Sequence, residues 1–147
     1  MEQASLHQEQ SFTWKPTLET RVRYERRIDK DFSETARDNR TDGLLRVRAG
    51  VIGVRADGAK ITLTYQYGYD AYESGGKHRV VQNSDVYLAN YEFKSRDWTT
   101  TLGRQGYVLG DGRLVSSFSY WGNVGRTFEG VRTRTKNLEF VAFREGA

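Results

Sequence analysis

Pairs of arginines two residues apart are the most chemically suggestive feature of this 147-residue sequence. Arg21 and Arg23 form one pair, and Arg46 and Arg48 form another. In an extended strand, residues i and i+2 point to the same side, so each pair projects two guanidinium groups from one face. A guanidinium donates two parallel hydrogen bonds to a carboxylate. The spacing therefore indicates recognition of an anion by strands.

Residue patterns that would support catalysis or metal binding are sparse. The two histidines, His7 and His78, have no second ligand at a metal-binding spacing, and the chain has no cysteine. The glycine-rich segment at 110–112 is not followed by a helical pattern that would present amides to a phosphate. No carboxylate pair is singled out by its spacing. We therefore expect no enzymatic activity, no metal site and no cofactor.

The composition favours strands over helices. The chain contains 15 glycines, one proline, nine tyrosines, seven phenylalanines and three tryptophans. The net charge of +4 suggests an anionic partner, but the basic residues are spread along the chain rather than concentrated, which argues against nucleic-acid binding. No apolar run is long enough for a transmembrane helix. Residues 1–16 form a polar N-terminal segment without the apolar stretch of a signal peptide.

Alternation of apolar and polar residues predicts the strands. In the clearest segment Ile61, Leu63 and Tyr65 share one face, whereas Thr62 and Thr64 share the other. This period of two is typical of a strand. Six segments show it, near residues 17–28, 44–55, 60–70, 85–94, 98–105 and 137–144. The predicted fold class is therefore all-β, an antiparallel up-and-down meander.

The lengths of the connections suggest where this meander lies. Two connections are short, one containing Asp57-Gly58, a preferred hairpin turn, and one at 95–97. The other three are long and polar, at 29–43, 71–84 and 106–136. Because long and short alternate, the long loops fall at one end of the meander. This layout is typical of outer-membrane barrels and predicts an incomplete transmembrane β-barrel of about six strands.

The two faces of the predicted strands would then meet different surroundings. In a membrane barrel the apolar face contacts lipid and the polar face lines the lumen. The residues predicted to face lipid are Leu18, Val22, Tyr24, Val47, Val51, Ile61, Leu63, Tyr65, Tyr87, Tyr91 and Phe93. Those predicted to face the lumen are Glu19, Arg21, Arg23, Glu25, Arg46, Arg48, Thr62, Thr64, Gln66, Asn90 and Glu92.

The same pattern also fits a second interpretation from another class. In a soluble β-sheet domain that binds carbohydrate, the apolar residues would pack in a closed core. The arginines would then lie on a solvated outer face and form incidental ion pairs across strands. Patterning alone leaves both interpretations open.

A block between Leu102 and Arg132 is more specific. It contains Leu-Gly-Arg-Gln at 102–105, Gly-Asp-Gly-Arg-Leu-Val at 110–115, Trp-Gly-Asn-Val-Gly-Arg at 121–126 and Thr-Phe-Glu-Gly-Val-Arg at 127–132. Together with the segments at 21–25 and 45–50, this block resembles the alginate export family of outer-membrane porins.

This resemblance implies both a location and a function. Residues 17–147 would be the N-terminal part of a larger, here truncated, barrel in the bacterial outer membrane. The barrel would be a channel for passive export or diffusion of an alginate-like anionic polysaccharide or a related solute. The expected partners are that polysaccharide or another anionic solute and outer-membrane lipid. Periplasmic export machinery is an additional candidate, and no nucleic acid is expected.

The resemblance also adds site residues to the strand arginines. Arg104, Arg113, Arg126 and Arg132 would line the pore or hold an inward-folded loop, with Asp111 as their ion partner. The predicted loop at 106–136 carries large aromatics that have little reason to lie in a solvated coil. We expect these aromatics to anchor the loop against the lumen, and they are Phe118, Tyr120, Trp121 and Phe128.

Overall fold

The computed structural model describes residues 11–28, 39–74, 76–112, 115–117 and 123–146. Seven strands form one open sheet in which chain neighbours pair antiparallel. The strands are β1 Thr13–Arg27, β2 Arg40–Val54, β3 Lys60–Ser74, β4 Lys77–Ser95, β5 Trp98–Gln105, β6 Phe128–Arg134 and β7 Glu139–Glu145. The predicted all-β antiparallel meander is confirmed. Across the described ranges, no helix has the length and apolar character needed to cross a membrane.

The predicted number of about six strands is wrong by one. The additional strand, β6, lies within residues 106–136, which the sequence predicts to be a single loop. The alternation of apolar and polar residues is broken in β6, because Phe128, Gly130 and Arg132 stand at alternate positions and therefore belong to the same face. Pairing with β5 on one side and β7 on the other makes this weakly patterned segment a strand.

The hairpin of β3 and β4 extends further than the alternation predicts. Residues 71–84 are expected to form a loop, but they belong to the two strands, and Ala71 lies opposite Val80. The connection is reduced to residues 75–76. Residues 77–84 are exposed, so no buried face imposes a period of two on them. The pattern that identifies half-buried strands is therefore missing from this arm.

The prediction that the short connections lie together at one end of the sheet is confirmed. Short connections at residues 55–59, 96–97 and 135–138 lie at the same end, because the strands alternate in direction. In the first of these turns, Gly58 N–H donates to the Arg55 carbonyl at 2.9 Å. We call this end the short-turn end. The opposite end has the 28–39 and 106–127 connections and the tip of the β3–β4 arm.

A bulge in β4 moves the side chain of Tyr87 to the opposite face of the sheet. The register between β3 and β4 shifts between Thr64 and Tyr65, so Tyr87 is an extra residue and Val86 lies opposite Tyr65. The Tyr87 ring lies 3.6 Å from the guanidinium carbon of Arg48. Its predicted lipid-facing position is therefore wrong, because the bulge shifts the alternation by one residue.

The two faces of the sheet differ sharply in character. We call one the polar face and define it by residues that lie opposite one another in register: Glu19, Arg21, Arg23 and Glu25 of β1, Asp42, Leu44, Arg46 and Arg48 of β2, and Thr64, Gln66, Gly68 and Asp70 of β3. The opposite face, the apolar face, is exposed. Leu18, Val22 and Tyr24 there retain 73%, 80% and 72% of their accessible surface.

Burial in this sheet is the reverse of what a water-soluble domain shows. Among the described residues, the buried hydrophobic ones are Leu44, Ala59 and Tyr107. The buried polar ones are more numerous: Asp42, Arg46, Thr64, Gln66, Thr101, Gln105, Ser117, Asn123 and Thr127. The interior of the described sheet is therefore built from polar contacts.

Three aromatic pairs lie on the apolar face close to the short-turn end. Their ring centroids are 5.7–6.1 Å apart, and the pairs are Phe12–Trp14 at 5.8 Å, Tyr91–Phe93 at 5.7 Å and Trp98–Phe140 at 6.1 Å. Trp14 packs over Gly53, where an added Cβ would lie 2.8 Å from the indole ring. The aromatic side chains therefore form a band beside the short turns.

Two glycines that face each other in β5 and β6 adopt backbone conformations that other residues rarely adopt. Gly103 has φ 104° and Gly130 has φ 152°. A Cβ on Gly103 would lie 2.4 Å from the Ala89 carbonyl oxygen, and one on Gly130 would lie 2.0 Å from that of Ala142. Neither position has room for a side chain.

We expect the Gly103→Ala substitution to lower the free energy of unfolding by more than about 1 kcal/mol, since it adds both backbone strain and a clash. Gly106→Ala is the matched control, because its added Cβ would make only a 3.6 Å contact with Ser117. Urea titration of both variants measures the difference. Equal stability of the two would contradict the requirement for glycine at 103.

Candidate functional site

The candidate site is the polar face of β1–β3 together with the part of the β5–β6 connection that covers it. Register places Glu19, Arg48 and Gln66 in one row across the three strands. The next row contains Arg21, Arg46 and Gly68. In the first row Glu19 and Arg48 carry opposite charges, and such a pair stabilises the pairing of their strands.

Arg46 and Arg48 share a single carboxylate. Arg46 forms a short ion pair with one Glu19 oxygen, and the Arg48 Nη1 lies 3.3 Å from the other. Arg48 also donates from Nε to the Gln66 side-chain oxygen at 2.8 Å. Its guanidinium lies over the Tyr87 ring, an arrangement that adds a cation–π attraction. Both arginines are thus held in fixed positions.

The returning segment of the β5–β6 connection is fastened to the sheet by Asn123. Its side-chain nitrogen donates to the Leu45 carbonyl at 2.7 Å and forms a short hydrogen bond with the Asp70 carboxylate. Its own carbonyl accepts from Arg46 Nη1 at 3.3 Å. Asn123 is buried. One side chain therefore joins this connection to β2 and β3.

Two glycines allow this close approach. A Cβ on Gly68 would lie 3.1 Å from a Val124 methyl carbon. One on Gly125 would lie 2.7 Å from the Ser117 carbonyl oxygen and 3.1 Å from the Arg48 Nη2. The sheet and the connection thus fit together through positions without side chains.

The start of the same connection forms a small hairpin. Residues Val108 and Ser116 form an isolated antiparallel bridge, and Ser117 N–H donates to the Tyr107 carbonyl at 2.8 Å. The Tyr107 ring packs edge-on against Phe128 and Phe143. Burial and the hydrogen bond to the Glu139 carboxylate raise the pKa of Tyr107. This cluster anchors the connection to β6 and β7.

Arg104 links three strands. Its Nη1 lies 2.6 Å from the Asp85 carboxylate of β4, and its Nη2 lies 2.7 Å from Glu129 of β6. It also donates to the Val86 carbonyl at 2.6 Å. Glu129 in turn accepts from Arg144 of β7 at 2.7 Å. Arg104 is therefore a cross-link between strands, with its charge offset by two carboxylates.

A cavity of about 190 Å³ lies beside this cross-link, between β4 and the docked connection. Polar side chains from both sides line it, including Gln66, Asn83, Asp85, Arg126 and Glu145. Arg126 is exposed, and its Nε lies 3.7 Å from a Glu145 oxygen. Such an exposed pair contributes little stability, so the Arg126 side chain can bind an anion at small cost.

Arg21 and Arg23 also lie on the polar face, whereas Arg132 lies on β6. Arg21 lies opposite Arg46, and Arg23 Nε lies 3.1 Å from Glu25. Arg132 pairs with Glu139 at 2.6 Å and lies 5.3 Å from the centroid of the Tyr107 ring.

Two further predictions concern the β5–β6 connection. Asp111 lies in the hairpin turn, whereas the carboxylates that pair with Arg104, Arg126 and Arg132 come from the strands. Arg113 lies outside the described residues. So do three aromatics of the predicted loop anchor: Phe118, Tyr120 and Trp121.

Several residues of this arrangement are not identified as site residues by the sequence. Asn123, Tyr87, Asp85 and Glu129 are all needed to hold the arginines, and none stands at a diagnostic spacing. The one local signal in the sequence is the Gly-Asn-Val-Gly segment at 122–125, in which Asn123 stands between two glycines. Among the described residues, the connection is held both by the Asn123 amide and by the Tyr107 ring, which packs against Phe128 and Phe143. Phe128 itself belongs to β6.

The described residues contain no group of three side chains arranged to hold a metal ion. Comparison with family models, with curated proteins and with solved structures gives no match for this chain. The arrangement is therefore interpreted from its own geometry.

We expect Asn123→Ala to release the connection from the sheet, because it leaves the Asp70 carboxylate and the Leu45 carbonyl without this donor. Loss of such buried hydrogen bonds costs about 1–3 kcal/mol. Faster amide hydrogen exchange in residues 115–127 is the measurement, and exposed Asn137→Ala in the β6–β7 turn is the control. Unchanged exchange in the variant would show that the connection is held by other contacts.

Proposed function

We propose that this sheet is part of the wall of a β-barrel in the bacterial outer membrane, with its apolar face toward lipid and its polar face toward a water-filled passage. The observation that carries the proposal is the reversed burial of the two faces. Fully burying a Leu or Val side chain is worth about 1.5–3 kcal/mol. Leu18 and Val22 forgo that gain unless a nonaqueous medium covers them.

The dimensions of the strands support this arrangement. A tilted strand crosses the hydrocarbon layer with about 9–11 residues, and β1 to β4 have 15, 15, 15 and 19 residues. They are long enough to span the layer and extend beyond it. The aromatic band at the short-turn end matches the aromatic girdles that mark the interface of such barrels.

The open edges of the sheet point to further strands. β1 and β7 each have one side with no strand partner in the described sheet. Unpaired backbone groups are not tolerated in lipid, and bacterial single-chain barrels contain an even number of strands. Closure of the barrel therefore requires an odd number of additional strands next to these seven.

The polar face supports passage of an anionic solute. Eight charged side chains of both signs are among the residues that define it. Most of its arginines are paired, whereas Arg126 is exposed beside the 190 Å³ cavity. An anionic polysaccharide of the alginate type, as the resemblance to the alginate export family implies, is the solute we propose. A soluble carbohydrate-binding domain would need the apolar residues in a closed core, and Leu18, Val22 and Tyr24 are exposed.

Neighbouring residues of β3 provide the test of the two faces. The chain has no cysteine, so Leu63→Cys and Thr62→Cys each give a single site for a spin label. With the closed barrel in lipid bilayers, and no other cysteine in it, we expect the label at 63 to collide with oxygen in the hydrocarbon layer. We expect the label at 62 to collide with a water-soluble nickel complex. Equal exposure of both labels to the aqueous complex would sink the membrane proposal.

The solute preference is tested separately on the barrel to which this sheet belongs. We expect Arg126→Ser to lower the permeability ratio of anions over cations by about two- to fivefold, since a unit charge about 4 Å from an ion contributes about 1 kcal/mol in water. The effect should shrink at high salt. Arg96→Ser removes the same charge from a short turn and serves as the control in planar-bilayer recordings. An effect of equal size in both variants would argue against a role for Arg126 in the passage.

A further inference from the structure

A second concave site lies on the opposite side of the sheet, at the short-turn end. It is a groove of about 290 Å³ between the β2–β3 turn and β4. The residues lining it are Arg55, Asp57, Ala59, Tyr91, Phe93 and Lys94. Charged groups from the turn and from the end of β4 thus meet an aromatic pair of the apolar face.

The turn side of the groove is rigid and close to neutral. Arg55 donates to both oxygens of Asp57, from Nε at 2.9 Å and from Nη2 at 2.6 Å. Asp57 also accepts from the Ala59 N–H at 3.1 Å. These hydrogen bonds, that from Arg55 first, lower the pKa of Asp57 to about 2. The carboxylate therefore remains ionised and paired with Arg55 at neutral pH. It does not repel an anion as strongly as an unpaired carboxylate would.

Lys94 supplies the uncompensated charge. Its aliphatic stem lies near Gly58, where an added Cβ would be 4.0 Å from the Lys94 Cδ. No ion pair found among the described residues involves Lys94. The surrounding turns are also basic: residues 55–60, 94–97 and 134–136 contain six Lys or Arg and two Asp.

We propose that this groove binds the headgroup of an anionic phospholipid, with its phosphate on Lys94 and Arg55 and its acyl chains along Tyr91 and Phe93. The inference rests on the proposed function, because it requires the apolar face to contact lipid. It adds a specific lipid site and a headgroup preference. In outer-membrane barrels the short turns are periplasmic, so the lipid belongs to the leaflet on that side.

The order of chemistry along β4 favours a lipid over a free anion. The stacked rings of Tyr91 and Phe93 lie on the apolar face, and the cations lie beyond them toward the turn. A phospholipid has the same order, with apolar chains followed by a charged headgroup. Aromatic and basic side chains at the interface are the usual anchors for such molecules. A free phosphate would make no use of the rings.

The test uses the closed barrel to which this sheet belongs, with every tryptophan other than Trp14 and Trp98 of the aromatic band replaced by phenylalanine. The protein is inserted into phosphatidylcholine vesicles that contain a minor fraction of brominated lipid, either phosphatidylcholine or phosphatidylglycerol. Bromine quenches tryptophan fluorescence at short range. The quantity measured is the local enrichment of each brominated lipid at the protein surface.

We expect phosphatidylglycerol to be enriched over phosphatidylcholine. We expect Lys94→Gln to reduce that enrichment about fivefold, because one basic residue near an anionic membrane surface contributes about 1 kcal/mol of attraction. Lys136→Gln removes the same charge from the third short turn, away from the aromatic pair, and should change the enrichment by less than twofold. A similar loss in both variants would indicate only diffuse attraction and overturn the site.

The remaining outcomes separate the two proposals. Absence of quenching by either lipid would mean that the aromatic band does not contact a membrane, and the proposed function would fail. Equal quenching by both lipids would leave lipid contact intact and overturn the headgroup site. Loss of the phosphatidylglycerol enrichment in inorganic phosphate, compared with chloride at equal ionic strength, would reassign the groove to a free anion.

Discussion

Arg46 and Arg48 lie beside one carboxylate, that of Glu19, under a segment of chain that returns from β5. Burying a guanidinium is costly unless an opposite charge and hydrogen-bond acceptors compensate for the lost water. Arg46 therefore requires Glu19 from β1 and the Asn123 carbonyl, and Arg48 requires Gln66 from β3. These demands fix the register of three strands and the position of the covering segment together. A one-residue slip of β2 would move both arginines to the apolar face.

This polar interior has a consequence for stability. Among described residues only a few hydrophobic side chains are buried, so the dominant favourable term of ordinary folding in water is small here. Backbone hydrogen bonds and ion pairs hold the sheet together. The exposed side chains of the apolar face contribute no free energy of burial. A lipid layer would supply that gain and would not compete for the charged groups on the other face. The fold is thus consistent with the proposed wall between hydrocarbon and water.

The sequence predicts the strands in which apolar and polar residues alternate regularly, and it fails where this alternation is interrupted. Alternation in β1 to β3 identifies the strands and both faces, because a period of two is a direct result of strand geometry. It misses β6, where Gly130 interrupts the pattern, and it assigns Tyr87 to the wrong face, because a bulge adds one residue without a local signature. Asn123 escapes prediction for another reason. Its partners on β2 and β3 are more than fifty residues away in sequence.

Pairing of the charges also determines what kind of passage the proposed wall could form. A row of unpaired arginines would bind a polyanion tightly and release it slowly, which opposes conduction. Here Arg104 is offset by Asp85 and Glu129, and Arg48 by Glu19, so these side chains serve chiefly as structure. The attraction left over comes from few exposed cations such as Arg126. In the proposed channel, weak and local attraction on the polar face would let an anionic chain enter and move on. The pairing that holds the sheet together would therefore also keep the proposed passage from retaining its solute.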